Sequence, residues 1–156
     1  MLAALLTAGA VLGAEAAART RVNRAPQDIF PHMLTRHIQI RRAHNRGLVG
    51  SRLETHPALV YTAQTAAAAV AVGAAVLVHL PGLQVPAFGR VGAGLLVGGA
   101  IANTGERYAC RRVTDYIYLK NSRIPLLRKR IWNIADAAIF NGAILTAAGL
   151  LCGGAL

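Results

Sequence analysis

The sequence predicts an all-α integral membrane protein with four transmembrane helices and a small β element in the first loop. The first observation is the composition, because 54% of the 156 residues are hydrophobic and only 15% are charged. An ordinary soluble domain of this length carries more charge and fewer long apolar runs. The second observation is that four apolar segments approach the length needed to cross roughly 30 Å of hydrocarbon. We therefore expect a single domain that covers residues 1–156.

The predicted spans cover residues 1–18, 57–80, 82–105 and 131–153. The first span is also compatible with a cleaved signal peptide, because small residues surround Glu15, but no Lys or Arg precedes its apolar run as such a peptide requires. The third span carries Arg90 near one end and is followed directly by Glu106. The two cysteines, Cys110 and Cys152, are too few for a disulfide framework.

Glycines recur at four-residue spacing within three of these segments. Such spacing lets helix backbones approach closely in lipid, where packing rather than hydrophobicity drives helix association. We therefore expect helix contacts at three pairs of glycines, which are Gly9 and Gly13, Gly94 and Gly98, and Gly149 and Gly153.

Almost all of the positive charge lies in two loops. Of the seventeen Lys and Arg residues, only Arg90 lies outside residues 19–56 and 107–130. Both loops follow odd-numbered spans, so we expect them on one side of the membrane, which the positive-inside rule would make the cytoplasm. Aromatic residues do not alternate with the basic ones, so we expect no nucleic-acid binding and attribute the charge to attraction for anionic lipid head groups. The best candidates for that attraction are Arg41, Arg42 and Arg46.

The two loops differ in their patterns. In the first loop, Ile38, Ile40 and Ala43 are separated by polar residues, and this alternation predicts a short, half-buried strand on the membrane surface. Turn-forming residues follow in "AHNRGLVG". In the second loop, the stretch "YLKNSRIPLLRKR" contains Pro125, and we expect this stretch to be an irregular return to the fourth span.

Asp136 lies where the fourth span begins. An ionisable residue in a spanning segment is costly unless it faces a polar cavity or has a partner, so Asp136 indicates a functional site. Asn133 lies one turn before it on the same helix face. The second loop begins near Asp115 and ends near Asp136, so the two carboxylates can meet at one membrane surface. Paired carboxylates hold one proton between them, which is the chemistry of an aspartic peptidase. The structural alternative is that Asp115 caps a helix and Asp136 pairs with a loop arginine.

Four stretches resemble the sequence blocks of one known family. "GGAIANTGERYACRRVTDYI" resembles a block of the lipoprotein signal peptidases (signal peptidase II), in which Gly-Gly and Asn precede Asp-Arg and Val-x-Asp-Phe. "WNIADAAIFNG" resembles their Phe-Asn-x-Ala-Asp block. "AHNRGLVG" resembles their Asn-x-Gly-Ala block, and "GAEAAAR" stands where they carry Asp-Gln-x-x-Lys. The blocks occur in the family's order and cover nearly the whole chain.

The resemblance implies a membrane-embedded aspartic endopeptidase that removes signal peptides from diacylglyceryl-modified prolipoproteins, cutting just before the lipidated cysteine. Asp115 and Asp136 are then the catalytic pair. The residues implied to bind substrate or to support the pair are Asn45, Gly47, Asn103, Arg107 and Asn133. The implied partners are lipidated prolipoproteins and membrane lipids, and we expect the protein to act as a monomer.

The resemblance also implies a multi-pass protein of the bacterial inner membrane, with its active site and β element on the extracytoplasmic side. This orientation is opposite to the one that the positive-inside rule gives. We expect no cofactor and no metal, because the five histidines show no ligand spacing. The chain departs from the family blocks at Glu15, Arg19, Leu48, Glu106 and Tyr116. A catalytically inactive member that binds lipidated chains or anionic lipid is the alternative function.

Overall fold

The computed structural model describes residues 1–48 and 52–153. Its helices are α1 (Leu2–Arg24), α2 (Pro57–Leu77), α3 (Ala87–Cys110), α4 (Pro125–Arg128) and α5 (Ile134–Cys152). Helix α4 is a single turn, and the other four are long. Helix α3 lies at the centre of the bundle, where it packs against α1, α2 and α5.

Three of the long helices, α1, α2 and α5, are long and apolar enough to cross a membrane by their length and composition. Helix α3 has 24 residues but is rich in glycine and carries Arg90, Glu106 and Arg107. Many large apolar side chains of the three apolar helices point away from the bundle, as expected of surfaces that face lipid. Examples are Leu5, Leu6, Val70, Val76, Phe140, Ile144 and Leu151.

Glycines of α3 and α5 let the central helix approach its neighbours at backbone distance. A Cβ atom on Gly98 would lie 2.8 Å from the Ala8 carbonyl oxygen of α1, and one on Gly142 would lie 2.5 Å from the Leu96 nitrogen of α3. Neither position has room for a side chain. This confirms the expected role of Gly98 and its partner Gly94 in helix packing.

The other two glycine pairs differ from each other. Gly149 packs against Gly89 of α3, as expected of a close helix contact. The expectation for Gly9 and Gly13 is wrong, because no described residue lies within 4 Å of a Cβ built on either. They lie on a face of α1 that the bundle leaves uncovered.

A four-stranded antiparallel sheet lies beside one end of the helices. Its strands, in spatial and chain order, are β1 (His32–Met33), β2 (Ile38–Asn45), β3 (Val113–Leu119) and β4 (Ile131–Trp132). Strands β1 and β2 come from the first loop, and β3 comes from the second. Strand β4 occupies the first two residues of the predicted fourth span, whose helix begins at Ile134. The sheet therefore places both basic loops on the same side of the bundle, as the spacing of the spans predicts.

The register of β2 and β3 brings the turn-forming end of the first loop to the predicted acid. Ala43 lies opposite Asp115 and Asn45 lies opposite Val113. The ladder is irregular between Ile40 and Ala43, which shifts the pairing at that point. The predicted strand in the first loop is confirmed. The stretch expected to return irregularly contains only the end of β3 and the single turn of α4. Strand β3, most of which precedes that stretch, was not predicted. Residues 49–51 of the first loop lie outside the described part of the chain.

Helix α1 continues beyond its predicted end at residue 18 to Arg24, and Arg42 of β2 holds its last turn. The Arg42 guanidinium donates to the carbonyl oxygens of Val22, Asn23 and Ala25, at 3.3, 3.2 and 2.8 Å. A cation there also complements the negative end of the helix dipole. Arg42 thus holds the end of α1, and its expected part in attracting anionic lipid stays a prediction.

Candidate functional site

Asp136 begins α5 as part of a capping box. The Asp136 backbone N–H donates to Asn133 Oδ1 at 2.8 Å, and the Asn133 backbone N–H donates to Asp136 Oδ2 at 3.3 Å. Such a box supplies partners for N–H groups that the first turn of a helix leaves unpaired. This local chemistry explains why a carboxylate stands where the apolar helix starts.

The remaining amides of this first turn bind side chains from other elements. The Ala135 N–H donates to Glu15 Oε2 of α1 at 2.6 Å, and the Ile134 N–H donates to the Tyr116 hydroxyl of β3 at 3.3 Å. The Tyr116 hydroxyl in turn donates to Glu15 Oε1 at 3.2 Å. Burial and the neighbouring Glu15 raise the pKa of Tyr116, so the phenol keeps the proton that it donates. Helix α1, strand β3 and the start of α5 are therefore joined at one point.

Asp115 reaches the same point from β3. It is only 8% exposed, and its Oδ1 accepts a hydrogen bond of 2.9 Å from Asn133 Nδ2. Burial, followed by the nearby charge of Asp136, raises the pKa of Asp115 to about 7, although hydrogen bonds from Asn133 and Asn45 act in the opposite direction. Asn133 thus contacts both acids, and it is itself fully buried. The expected meeting of Asp115 and Asp136 is present in the structure.

The expected alternative roles of the two acids do not match the geometry. Asp115 lies within a strand and caps no helix. Asp136 has no arginine at ion-pair distance among the described residues; its Oδ1 accepts instead from Asn103 Nδ2 at 2.8 Å. Asn103 therefore contacts one of the two acids.

Arg107 holds the end of the first loop and does not contact the acids. Its guanidinium donates to the carbonyl oxygens of Arg46 at 2.9 Å and Gly47 at 2.7 Å, and to the Gln64 side chain of α2. Only 4% of Arg107 is exposed. The Gly47 N–H in turn donates to Asn45 Oδ1 at 3.1 Å, which closes a tight turn. The turn at Asn45 and Gly47 is thus fixed above the acids.

A cavity of about 440 Å³ opens next to both acids. Its polar end contains Asp115 and Asp136, together with Arg107. The rest of its lining is mainly apolar, with small side chains on α2 and larger ones on α3 and α5. The apolar lining residues include Ala67, Ala68, Ala71, Leu96, Ile139 and Phe140. The cavity can therefore hold an apolar polypeptide segment with one peptide bond near the carboxylates.

Several residues of the site had no assigned role in the sequence. Glu15 and Arg19 form an ion pair one helical turn apart within α1, and Glu106 of α3 lies 3.0 Å from Arg19. The signal was available, since a Glu and an Arg at i and i+4 interrupt an apolar run. Gln64 had a similar signal, as an isolated amide within the apolar sequence of α2.

Two carboxylates, the buried Asp115 and the half-buried Asp136, share an asparagine at the polar end of an apolar cavity. The bundle around them includes three potential membrane spans. The class that this fold and site define is a membrane protein equipped for aspartic peptidase chemistry.

Comparison with known proteins agrees with this class. A family model described as Signal peptidase (SPase) II matches residues 7–152. The chain belongs to the signal peptidase II family, and it is a membrane aspartic peptidase that cleaves signal peptides from prolipoproteins. A comparison with curated proteins finds no match.

Two solved structures share the fold. One is a bacterial membrane enzyme determined by the in meso method at 2.3 Å resolution, with a TM-score of 0.76 and 23% identity over 95% of this chain and 87% of that one. The other, also a bacterial membrane enzyme, was determined by the same method at 1.9 Å resolution. Its TM-score is 0.71 and its identity is 22%, over 96% of this chain and 92% of that one.

Proposed function

We propose that Asp115 and Asp136 are the catalytic pair of this peptidase. The observation that carries the proposal is that Asn133 contacts both acids at the polar end of the cavity, with its Nδ2 2.9 Å from Asp115 Oδ1 and its Oδ1 2.8 Å from the Asp136 nitrogen. Two acids held this closely in a shielded site do not both ionise readily, so they keep one proton between them near neutral pH.

This shared proton allows both halves of amide hydrolysis. The ionised carboxylate takes a proton from a water molecule whose oxygen attacks the scissile carbonyl carbon, while the protonated acid donates a hydrogen bond to the carbonyl oxygen. A tetrahedral diol forms as that proton passes to the carbonyl oxygen. When the C–N bond breaks, the leaving amine takes up a proton from the pair, one hydroxyl of the diol returns its proton to the pair, and the carboxyl product remains. The pair then again holds one proton.

The substrate segment lies in the cavity between α2 and α5, with α3 behind it. Small residues of α2, including Ala67, Ala68 and Ala71, leave room for the apolar residues before the cleavage point. The proposed substrate is a diacylglyceryl-modified prolipoprotein, cut just before its lipidated cysteine. Phe140, which is 66% exposed at the edge of the cavity, is placed to contact lipid and the acyl chains of such a substrate.

We also propose that α3 crosses the membrane as well, so that the chain is a single domain with four transmembrane helices. The sheet and the acids then lie on the extracytoplasmic side of the bacterial inner membrane. The position of α3 between α1 and α5 supports this proposal, because those two apolar helices can cross the membrane only together with the helix packed between them. The polar groups of α3 gather near Asn103 and Arg107, at the end beside the sheet.

Replacing each acid by asparagine tests the catalytic pair. Asp115→Asn and Asp136→Asn keep the size and the accepting oxygen but remove the proton chemistry, so each should abolish cleavage of a purified, diacylglyceryl-modified prolipoprotein. The matched control is Asp28→Asn, the same change at an exposed carboxylate. Far-UV circular dichroism in detergent should show a folded protein in each case. If either catalytic variant cleaves at a rate close to that of the unmodified protein, that acid is not part of the pair.

A further inference from the structure

Arg19 lies at the centre of a buried polar cluster that the catalytic steps above do not use. Its Nη1 donates to the Ala102 carbonyl oxygen at 2.9 Å, and its Nη2 donates to Asn103 Oδ1 at 2.6 Å. Its Nε lies 2.7 Å from Glu15 Oε1 and 3.0 Å from Glu106 Oε2, as ion pairs without an aligned hydrogen bond. Removing one partner would leave a buried charge without compensation, so the guanidinium is held firmly in place.

The position of Arg19 decides which way the Asn103 amide faces. A guanidinium has only donors, so the Asn103 atom that lies 2.6 Å from it must be the carbonyl oxygen. Asn133 Nδ2 donates to the same oxygen at 3.3 Å. The Asn103 amide nitrogen is therefore turned to the other side, where it donates to Asp136 Oδ1 at 2.8 Å.

The family block carries Lys together with Asp at these two positions, whereas this chain carries Arg19 together with Glu15. A lysine beside Glu15 would not reproduce the contacts of Arg19. The planar fork of arginine reaches Ala102 and Asn103 with two different nitrogens while its Nε stays beside two carboxylates. An ammonium group is a single point on a flexible stem, so it keeps the charge but loses the fixed geometry.

The two acids receive different hydrogen bonds as a result. Asp136 accepts on both oxygens, from Asn103 Nδ2 and from the Asn133 backbone N–H. Among the described contacts, Asp115 accepts from side-chain amides, which are Asn133 Nδ2 at 2.9 Å and the Asn45 side chain. Hydrogen bonds to a carboxylate favour its charged form. Asp136 also lies in the first turn of α5, where the helix dipole favours negative charge, so the charge belongs on Asp136.

We propose that Arg19 is a positioning residue that acts through Asn103 to assign the two catalytic roles. Asp136 carries the charge and takes the proton from the attacking water. Asp115 holds the shared proton and donates to the scissile carbonyl oxygen. This inference rests on the proposed function, since it divides roles within the proposed pair.

A double-mutant cycle tests this inference. Arg19→Lys keeps the positive charge but no longer fixes the Asn103 side-chain amide, and Asn103→Ala removes that amide. We expect each variant to lower kcat about 100-fold and to change KM less than about threefold. Because Arg19 acts through Asn103, the double variant should lose about 100-fold in kcat, not the product of the two losses. The alkaline limb of the kcat profile should also move to higher pH in both single variants, since the pair then holds its proton more tightly.

Arg42→Lys is the matched control, because Arg42 also binds backbone carbonyls of α1 but lies at the end of the helix beside the sheet. It should lower Tm and leave both kcat and the pH profile unchanged. Losses in kcat that multiply in the double variant, or an alkaline limb that stays in place, would show that Arg19 only stabilises the bundle. If Arg19→Lys does not fold, Asn103→Ala alone tests the inference. If the alkaline limb of the kcat profile does not move in Asn103→Ala, the inference is overturned. Failure of the proposed function gives a different result, which is activity in Asp115→Asn or Asp136→Asn.

Discussion

Replacing the buried acid Asp115 should stabilise the protein at high pH, although it removes activity. Burial and Asp136 raise the pKa of Asp115 from 3.8 to about 7. The difference between these values corresponds to about 4 kcal/mol against the ionised form in the folded protein. This figure is an upper limit, because water and side chains rearrange around a buried charge.

The sign of the pH dependence follows from the raised pKa. The folded protein holds this proton more tightly than the unfolded chain, so the stabilising contribution is fully present below about pH 4 and is lost as the pH rises through about 7. The free energy of unfolding should therefore fall over this range. In Asp115→Asn the side chain is neutral at every pH, and its oxygen can still accept from Asn133. The variant should match the unmodified protein at pH 4 and exceed it by up to about 4 kcal/mol at pH 8.5.

Thermal unfolding in detergent micelles, followed by circular dichroism at several pH values, measures this difference. The Tm of Asp115→Asn should exceed that of the unmodified protein by several degrees at pH 8.5, and the two values should converge at pH 4. Asp28→Asn should show no such divergence, because Asp28 is exposed. A constant Tm difference between pH 4 and pH 8.5 would refute the reasoning, since the burial of Asp115 would then have no effect on its proton.

Two further predictions concern the surroundings of the site. The first prediction concerns orientation. A cysteine at Asn121, beside the sheet, introduced as the only cysteine of the chain, should react with an impermeant thiol reagent in intact cells. The same change at Gln84, at the other end of the bundle, should allow reaction only after the membrane is opened, and the reverse pattern would support the positive-inside orientation. The second prediction concerns the basic loops, in which Arg24, Arg46 and Arg111 are exposed. Replacing these three arginines together by Gln should raise KM more than it lowers kcat in vesicles that contain anionic lipid. The reason is that each basic residue near such a surface contributes about 1 kcal/mol of attraction. The effect should shrink with added salt, and an unchanged KM at low salt would exclude these arginines from substrate capture.

The roles of the basic residues show a limit of sequence patterns. Position in the sequence makes Arg41, Arg42 and Arg46 equivalent, but the structure separates them. Arg42 holds the end of α1, and the Arg41 guanidinium lies 3.6 Å from the centre of the Tyr118 ring. Arg46 remains exposed. A charge pattern records which residues are basic, whereas the use of each charge depends on the acceptors and rings that folding brings near it.

The sequence by itself determined the features that depend on neighbouring residues. Apolar runs set the positions of the long helices, alternation set β2, and the pair of Asn133 and Asp136 at capping-box spacing set the start of α5. The two stretches that resemble family blocks and contain Asp115 and Asp136 also identified both acids of the candidate pair. These features are local, because a helix period, a strand period and a cap are each completed within a few residues.

Only the tertiary structure decided which distant groups meet. Strand β3 was not evident, because its pattern is buried on both faces near Asp115 and lacks the alternation that marks a half-buried strand. The contact of Arg19 with Asn103 joins residues 84 positions apart and depends on how closely α1 approaches α3. That approach is set by Gly94 and Gly98, while the equally spaced Gly9 and Gly13 face outward. Identical local patterns thus have different outcomes, because the surface that each helix face meets is determined by the packing of the whole bundle.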